Sequence, residues 1–256
     1  MLVQEVAVEK ISASLMQSPY VRAIFLKGSM GRNEHDEHSD IDMYCLVDKE
    51  QEDLFLAERI THLQVYRPVL FQDDIFIIAP QLIAVFDDLL HIDLFTVTVE
   101  SFTPKDFFKV VYDPDNLLEQ FEESQSLTLS KEEYKDHVID VAWFLFQYRK
   151  ASARGNGVWA VKMLSHVQEH LARVLLYRYA PDRAQLGLKA ISHSLPEFVF
   201  AEIESISSLM TPLDHPEAAL QIRQLLAKEA AWIDERVSDR DKIMPLMQKM
   251  IEIPKN

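Results

Sequence analysis

Residues 28–32 read Gly28-Ser29-Met30-Gly31-Arg32, and after seven intervening residues the chain continues Asp40-Ile41-Asp42-Met43-Tyr44-Cys45-Leu46-Val47. Glycine is scarce, five in 256 residues against a usual share of about 7%, yet the pentapeptide holds two of the five. It follows the run Val21-Arg22-Ala23-Ile24-Phe25-Leu26-Lys27, which reads as a strand closing at Gly28. A glycine at that position permits positive φ and lets a ligand come close to backbone N–H groups. A helix opening just after it is expected to add donors and a favourable dipole for phosphate.

Side chains alternate along a strand, so Asp40, Asp42 and Tyr44 share one face while Ile41, Met43 and Cys45 share the other. One face of this strand is therefore expected to be wet and the other buried, with Cys45 a buried apolar residue. Two carboxylates this close repel unless a cation lies between them. Hard oxygen donors that leave room for water and phosphate suit Mg²⁺ or Mn²⁺ rather than zinc. A third carboxylate, Asp93, sits in the middle of the apolar run Leu89-Leu90-His91-Ile92-Asp93-Leu94-Phe95, where an ionised group is costly unless paired or coordinated. Asp87-Asp88 reads better as a turn between strands. Asp40, Asp42 and Asp93 together form a set able to hold two metal ions.

The stretch from Gly28-Ser29 through Gly31-Arg32 to Asp40-x-Asp42, followed by a strand-borne Asp93, resembles the signature of the DNA polymerase β nucleotidyltransferase superfamily. The layout, with a helical domain after it, is similar to kanamycin and lincosamide nucleotidyltransferases. The resemblance implies a fold of the α/β plus all-α class, a small mixed-sheet nucleotidyltransferase domain followed by a helical bundle domain. It further implies that Gly28 and Ser29 bind the triphosphate of ATP or another NTP, with Arg32 adding phosphate contacts. By the same likeness Asp40 and Asp42 bridge two Mg²⁺ ions, and Asp93 completes the site of the catalytic one. The implied activity is transfer of AMP from ATP to a hydroxyl of a small molecule such as an aminoglycoside or lincosamide antibiotic, hence antibiotic resistance, and the likeness allows a homodimer. Two other readings use the same residues: a nucleotidyltransferase that modifies a protein hydroxyl, and a non-catalytic nucleotide-binding sensor.

Outward from this centre the pattern divides the chain at residues 1–128 and 129–256. In the first part, Val3 to Met16 and Lys49 to Leu63 have helical spacing, and residues 74–80, 82–88 and 89–98 read as strands. In the second, Lys131 to Ala153 and Val158 to Tyr179 form two long helices around Gly155-Asn156-Gly157, and prolines divide the remainder into further helices. Tyr148 and Trp159 are expected in the core. Asp140 and Glu169, beside His170, are candidates for a general base, although solvated helix faces explain them more simply. His35 and His38, in a polar loop without cysteine partners, are read as solvated.

The net charge of −15 argues against a long nucleic acid as partner, because phosphate-backbone affinity comes largely from Lys and Arg. An acidic surface instead favours metal ions and cationic small molecules. With one cysteine and a first stretch, MLVQEVAVEK, that lacks the basic start and apolar run of a signal peptide, a cytoplasmic protein without membrane spans is expected.

Overall fold

The computed structural model describes residues 1–103 and 105–253. The chain divides into two compact units, Met1–Ser126 and Leu127–Asn256.

The first unit is built on six strands, Val21–Leu26 (β1), Ile41–Val47 (β2), Val69–Phe76 (β3), Pro80–Phe86 (β4), His91–Val97 (β5) and Lys109–Tyr112 (β6). They form one mixed sheet in the order β3-β4-β5-β2-β1-β6. Only β2 and β5 run parallel; the other neighbours are antiparallel. Three helices accompany the sheet, Val3–Leu15 (α1), the single turn Gly28–Gly31 (α2) and Glu52–Leu63 (α3). Ala7, Ile11 and Leu15 of α1 and Phe55 and Leu63 of α3 are fully buried in one cluster with Met43 and Cys45 of β2 and Ile92 and Leu94 of β5. Each such large side chain contributes about 1.5–3 kcal/mol by leaving water, which fixes which way β2 and β5 face.

The other face of β2 departs from the expected wet surface. Tyr44 and Leu46 are 6% and 1% exposed and pack with Phe25, Phe95 and Phe102 in a second apolar cluster. The Tyr44 ring stacks on Phe95 at 4.4 Å and on Phe25 at 5.1 Å. Aromatic residues contributed from outside the strand cover this face, a tertiary effect that alternation within one strand cannot register. Asp42 and Asp93 lie on the same face, at the end where the apolar packing stops.

Elsewhere the strands differ in extent from the expectation. Ile77 and Ile78 are exposed residues of the β3–β4 connection rather than strand interior, and β6 was not anticipated, its four residues being too few to show a period. His35 is also less solvated than expected, its side chain 15% exposed and its Nε2 3.5 Å from a Glu5 carboxylate oxygen.

The second unit is helical: Lys131–Ala153 (α4), Gly157–Tyr179 (α5), Ile191–Ser194 (α6), Glu197–Ser208 (α7), His215–Arg236 (α8) and Arg240–Glu252 (α9), around one apolar core. Ser130 and Glu133 start α4 reciprocally: the Glu133 N–H donates to Ser130 Oγ at 3.2 Å and the Ser130 N–H to Glu133 Oε2 at 2.8 Å. Gly155 then takes φ +67°, the left-handed conformation that ends helices. Asn156 caps α5 by accepting from the Trp159 N–H at 3.0 Å. Trp159, expected in the core, is 59% exposed because it lies in this first turn. Among the described residues no helix is long and apolar enough to cross a membrane.

Candidate active site

Parallel pairing of β2 with β5 sets Asp42 beside Asp93, their Cα atoms partners in the register. Alternation then places Asp40, just before β2, and His91, at the start of β5, toward the same side. One ligand atom from each of Asp40, His91 and Asp93 lies within 4.8 Å of the others. His91 Nε2 donates to Asp93 Oδ1 at 3.1 Å, and its Nδ1 stands 3.9 Å from Asp40 Oδ2. Sequence reading missed His91, although its spacing of two from Asp93 on a strand was a signal for it.

Gly28 brings the loop onto this carboxylate face. It has φ +59°, and a Cβ built on it would overlap Asp42 Oδ2, so any side chain would have to displace the carboxylate. Gly31 is fixed by a different contact: a Cβ there would lie 2.7 Å from the Leu26 carbonyl oxygen and 2.8 Å from that of Phe107. The Lys27 N–H donates to the Asp42 carbonyl at 2.9 Å, and the Glu34 N–H to that of Ser29 at 2.8 Å, which ties the loop to β2 and closes it on itself. The helix expected after Gly28 is the single turn α2, too short for an appreciable macrodipole.

The electrostatics centre on anions in partial burial. Burial pushes the Asp93 carboxyl up, but hydrogen bonds from His91 and Gln81 and the His91 charge outweigh it and hold the group below the usual carboxylate range. The hydrogen bond to Asp93 raises His91 against the opposing effect of burial, with further support from the charges of Asp93, Asp40 and Asp42. Lys27 is a second residue the sequence reading passed over. It is buried, its Nζ lies 5.3 Å and 5.4 Å from the Tyr44 and Phe102 ring centroids, and desolvation lowers its pKa while Asp106 and Asp42 oppose that shift. Arg32 has its Nε 2.9 Å from Glu34 and its Nη1 2.8 Å from Asp106.

The donor set passes a chemical test for a divalent ion. Carboxylates of Asp40 and Asp93 converge with His91, and Asp42, outside that group, stands beside Asp93 in the register with its Oδ2 packed against Gly28. That combination fits Mg²⁺ or Mn²⁺ held by a few carboxylates together with substrate oxygens.

Comparison with known proteins points the same way. Residues 9–85 match the family model for polymerase beta nucleotidyltransferase domains, a span that includes Gly28, Ser29, Asp40 and Asp42 and stops short of Asp93. No curated protein sequence matches the chain significantly. Among solved structures, an aminoglycoside 6-adenyltransferase from Bacillus subtilis is similar at 13% identity and a TM-score of 0.38, over 99% of this chain and 100% of that one. A nucleotidyltransferase-like protein from Exiguobacterium sibiricum 255-15 shows 12% identity and a TM-score of 0.37, over 95% and 87% of the two chains. The Elizabethkingia meningoseptica CdnE cyclic dinucleotide synthase, solved with GTP and Apcpp, gives 12% and 0.32 over 97% and 91%. Likenesses this loose carry no argument about substrate. The motif, the α/β unit that bears it and the family match agree that residues 9–85 carry a domain of the polymerase beta nucleotidyltransferase type.

Proposed function

We propose that the chain moves a nucleoside monophosphate, AMP from ATP in the first instance, to a hydroxyl of a small molecule in a Mg²⁺-dependent reaction. The observation that carries this is the register of Asp42 with Asp93 on the parallel pair β2 and β5, with Gly28 closed against Asp42. Asp40, Asp42 and Asp93 are the metal-holding residues in this reading. Two bound Mg²⁺ ions would lower the pKa of the attacking hydroxyl and neutralise charge on the departing pyrophosphate.

The chain's own residues do the positioning. Gly28 and Ser29 offer backbone to the triphosphate at a point that a larger residue would block. Arg32 has Nε and Nη1 committed to Glu34 and Asp106, so its phosphate contact falls to Nη2. Lys27, between Asp42 and Asp106 in its electrostatics, offsets part of the carboxylate charge at the base of the loop. His91 holds Asp93 by hydrogen bond and keeps it ionised.

A cationic acceptor such as an aminoglycoside suits the surroundings better than a neutral one. Glu34, Asp36 and Glu37 are exposed in the loop that leads into Asp40, and the chain as a whole carries −15, a field that concentrates cations near the site. Incubation with ATP, Mg²⁺ and a panel of aminoglycosides and lincosamides tests this by mass spectrometry. One panel member should gain the mass of an AMP group with release of pyrophosphate. Labelling of cell proteins with no modified small molecule would replace the proposal with a protein-modifying one.

A further inference from the structure

Away from the sheet, α4 and α5 bring three metal-ligating side chains to one point. His137 and Asp140 are one turn apart on α4 and His170 is on α5. His137 Nδ1 lies 3.0 Å from His170 Nδ1, and His170 Nδ1 lies 3.5 Å from Asp140 Oδ2. One ligand atom from each falls within 4.8 Å of the others. Bond lengths of about 2.0–2.2 Å from zinc to nitrogen and oxygen place tetrahedral ligand atoms about 3.3 Å apart, a spacing that the two shorter separations bracket. We infer that His137, Asp140 and His170 form a binding site for a zinc-class transition-metal ion that cross-links α4 and α5, with water in the remaining position.

Several features favour a metal over a simple hydrogen-bonded pair. Two Nδ1 atoms and a carboxylate oxygen are all Lewis bases, and a single ring proton between the histidines serves only one of the three approaches. Burial is the largest influence on both rings and lowers His137 and His170 alike, a direction that favours the imidazole form with a lone pair to donate. Phe144 stacks on His170 at 5.6 Å and on His166 at 4.6 Å, which restrains the ring that bears the shared ligand atom. The surrounding charge is mixed. Asp136 and Glu169 attract a cation, and Arg173 opposes it while lying 3.6 Å from a Glu169 carboxylate oxygen. His170 and Asp140 keep 17% and 39% side-chain exposure, enough for an ion to enter.

Two nitrogens and one oxygen select for Zn²⁺, Co²⁺ or Ni²⁺ over Mg²⁺, so the two sites can be separated. The full-length protein, stripped with chelator and held in millimolar Mg²⁺ to fill the carboxylate site, is titrated with Co²⁺ and then Zn²⁺. Visible ligand-field absorption should rise to one Co²⁺ per chain and vanish as Zn²⁺ displaces it. His137→Gln and His170→Gln should weaken Co²⁺ binding by at least about 10–100-fold, and Asp40→Asn should leave it unchanged. Asp140→Asn, at a half-exposed position, should weaken it too and supplies the result should either histidine variant fail to fold. Absence of the absorption in the wild type, its persistence in the folded helical variants, or its loss in Asp40→Asn alone would each overturn the site.

Discussion

Replacing Gly28 by alanine tests the closure of the loop on Asp42 more sharply than removing a carboxylate, because it leaves every charge in place. The added Cβ meets two obstacles. Gly28 has φ +59°, where a residue with a Cβ is disfavoured by roughly 1–2 kcal/mol. The same Cβ would overlap Asp42 Oδ2 and stand 3.1 Å from Asp42 Cγ, so the carboxylate has to swing by about 1 Å or more. The backbone cost alone lowers the melting temperature by only about 2–8 °C, at about 2–4 °C per kcal/mol for a chain of this size. A 1 Å misplacement at a reacting centre, however, costs on the order of 100-fold in rate. Gly28→Ala should therefore fold with native circular dichroism, melt a few degrees early, and release pyrophosphate about 100-fold more slowly at saturating NTP and Mg²⁺. Turnover within a few-fold of wild type in a folded variant would show that the loop does not need to close on Asp42, and the argument from Gly28 would fail.

Further outcomes follow from the same geometry. Asp40→Asn and Asp42→Asn should each lose about a thousand-fold or more in transfer rate while staying folded, since each removes several kcal/mol of transition-state stabilisation; substantial activity in either, with Mg²⁺ present, would remove that residue from the metal set. With a nucleotide present, Mg²⁺ should raise the melting temperature of wild type far more than that of Asp93→Ala, because ligand binding to the native state stabilises it by mass action; equal shifts would make Asp93 structural. The combined variant Glu34→Gln, Asp36→Asn and Glu37→Gln should raise KM for a polycationic acceptor at low salt but not for ATP, and the effect should fade near 0.1 M salt, where the screening length is about 10 Å. Unchanged acceptor kinetics at low ionic strength would favour a neutral acceptor.

The parts of this molecule that were legible from sequence are those governed by local period and spacing. The alternation of Ile41, Met43 and Cys45 against Asp42 gave the buried face of β2, and the long stripe from Lys131 to Ala153 gave α4. What escaped reading depends on contacts between distant segments. Tyr44 looked solvent-facing because the aromatic residues that cover it come from β1, β5 and the segment beyond. The pairing of Asp42 with Asp93 is a matter of register between residues 51 positions apart, so sequence suggested the two carboxylates but not that they stand side by side. Lys27 and His91 were overlooked for related reasons: a lysine at a strand end normally points to water, and a histidine flanked by leucine and isoleucine looks like ordinary strand filling. Trp159 erred the other way, since its size suggested burial and its place in the first turn of α5 left it out.

The central claim concerns which phosphorus atom is attacked, and parallel reactions with ATP labelled at the α- or the γ-phosphate read that directly. With Mg²⁺ and a modified acceptor, the α-label should appear in the acceptor, the γ-label should leave as pyrophosphate, and Asp42→Asn should abolish both. Appearance of the γ-label in the acceptor, or α-label transfer that persists undiminished in Asp42→Asn, would contradict it.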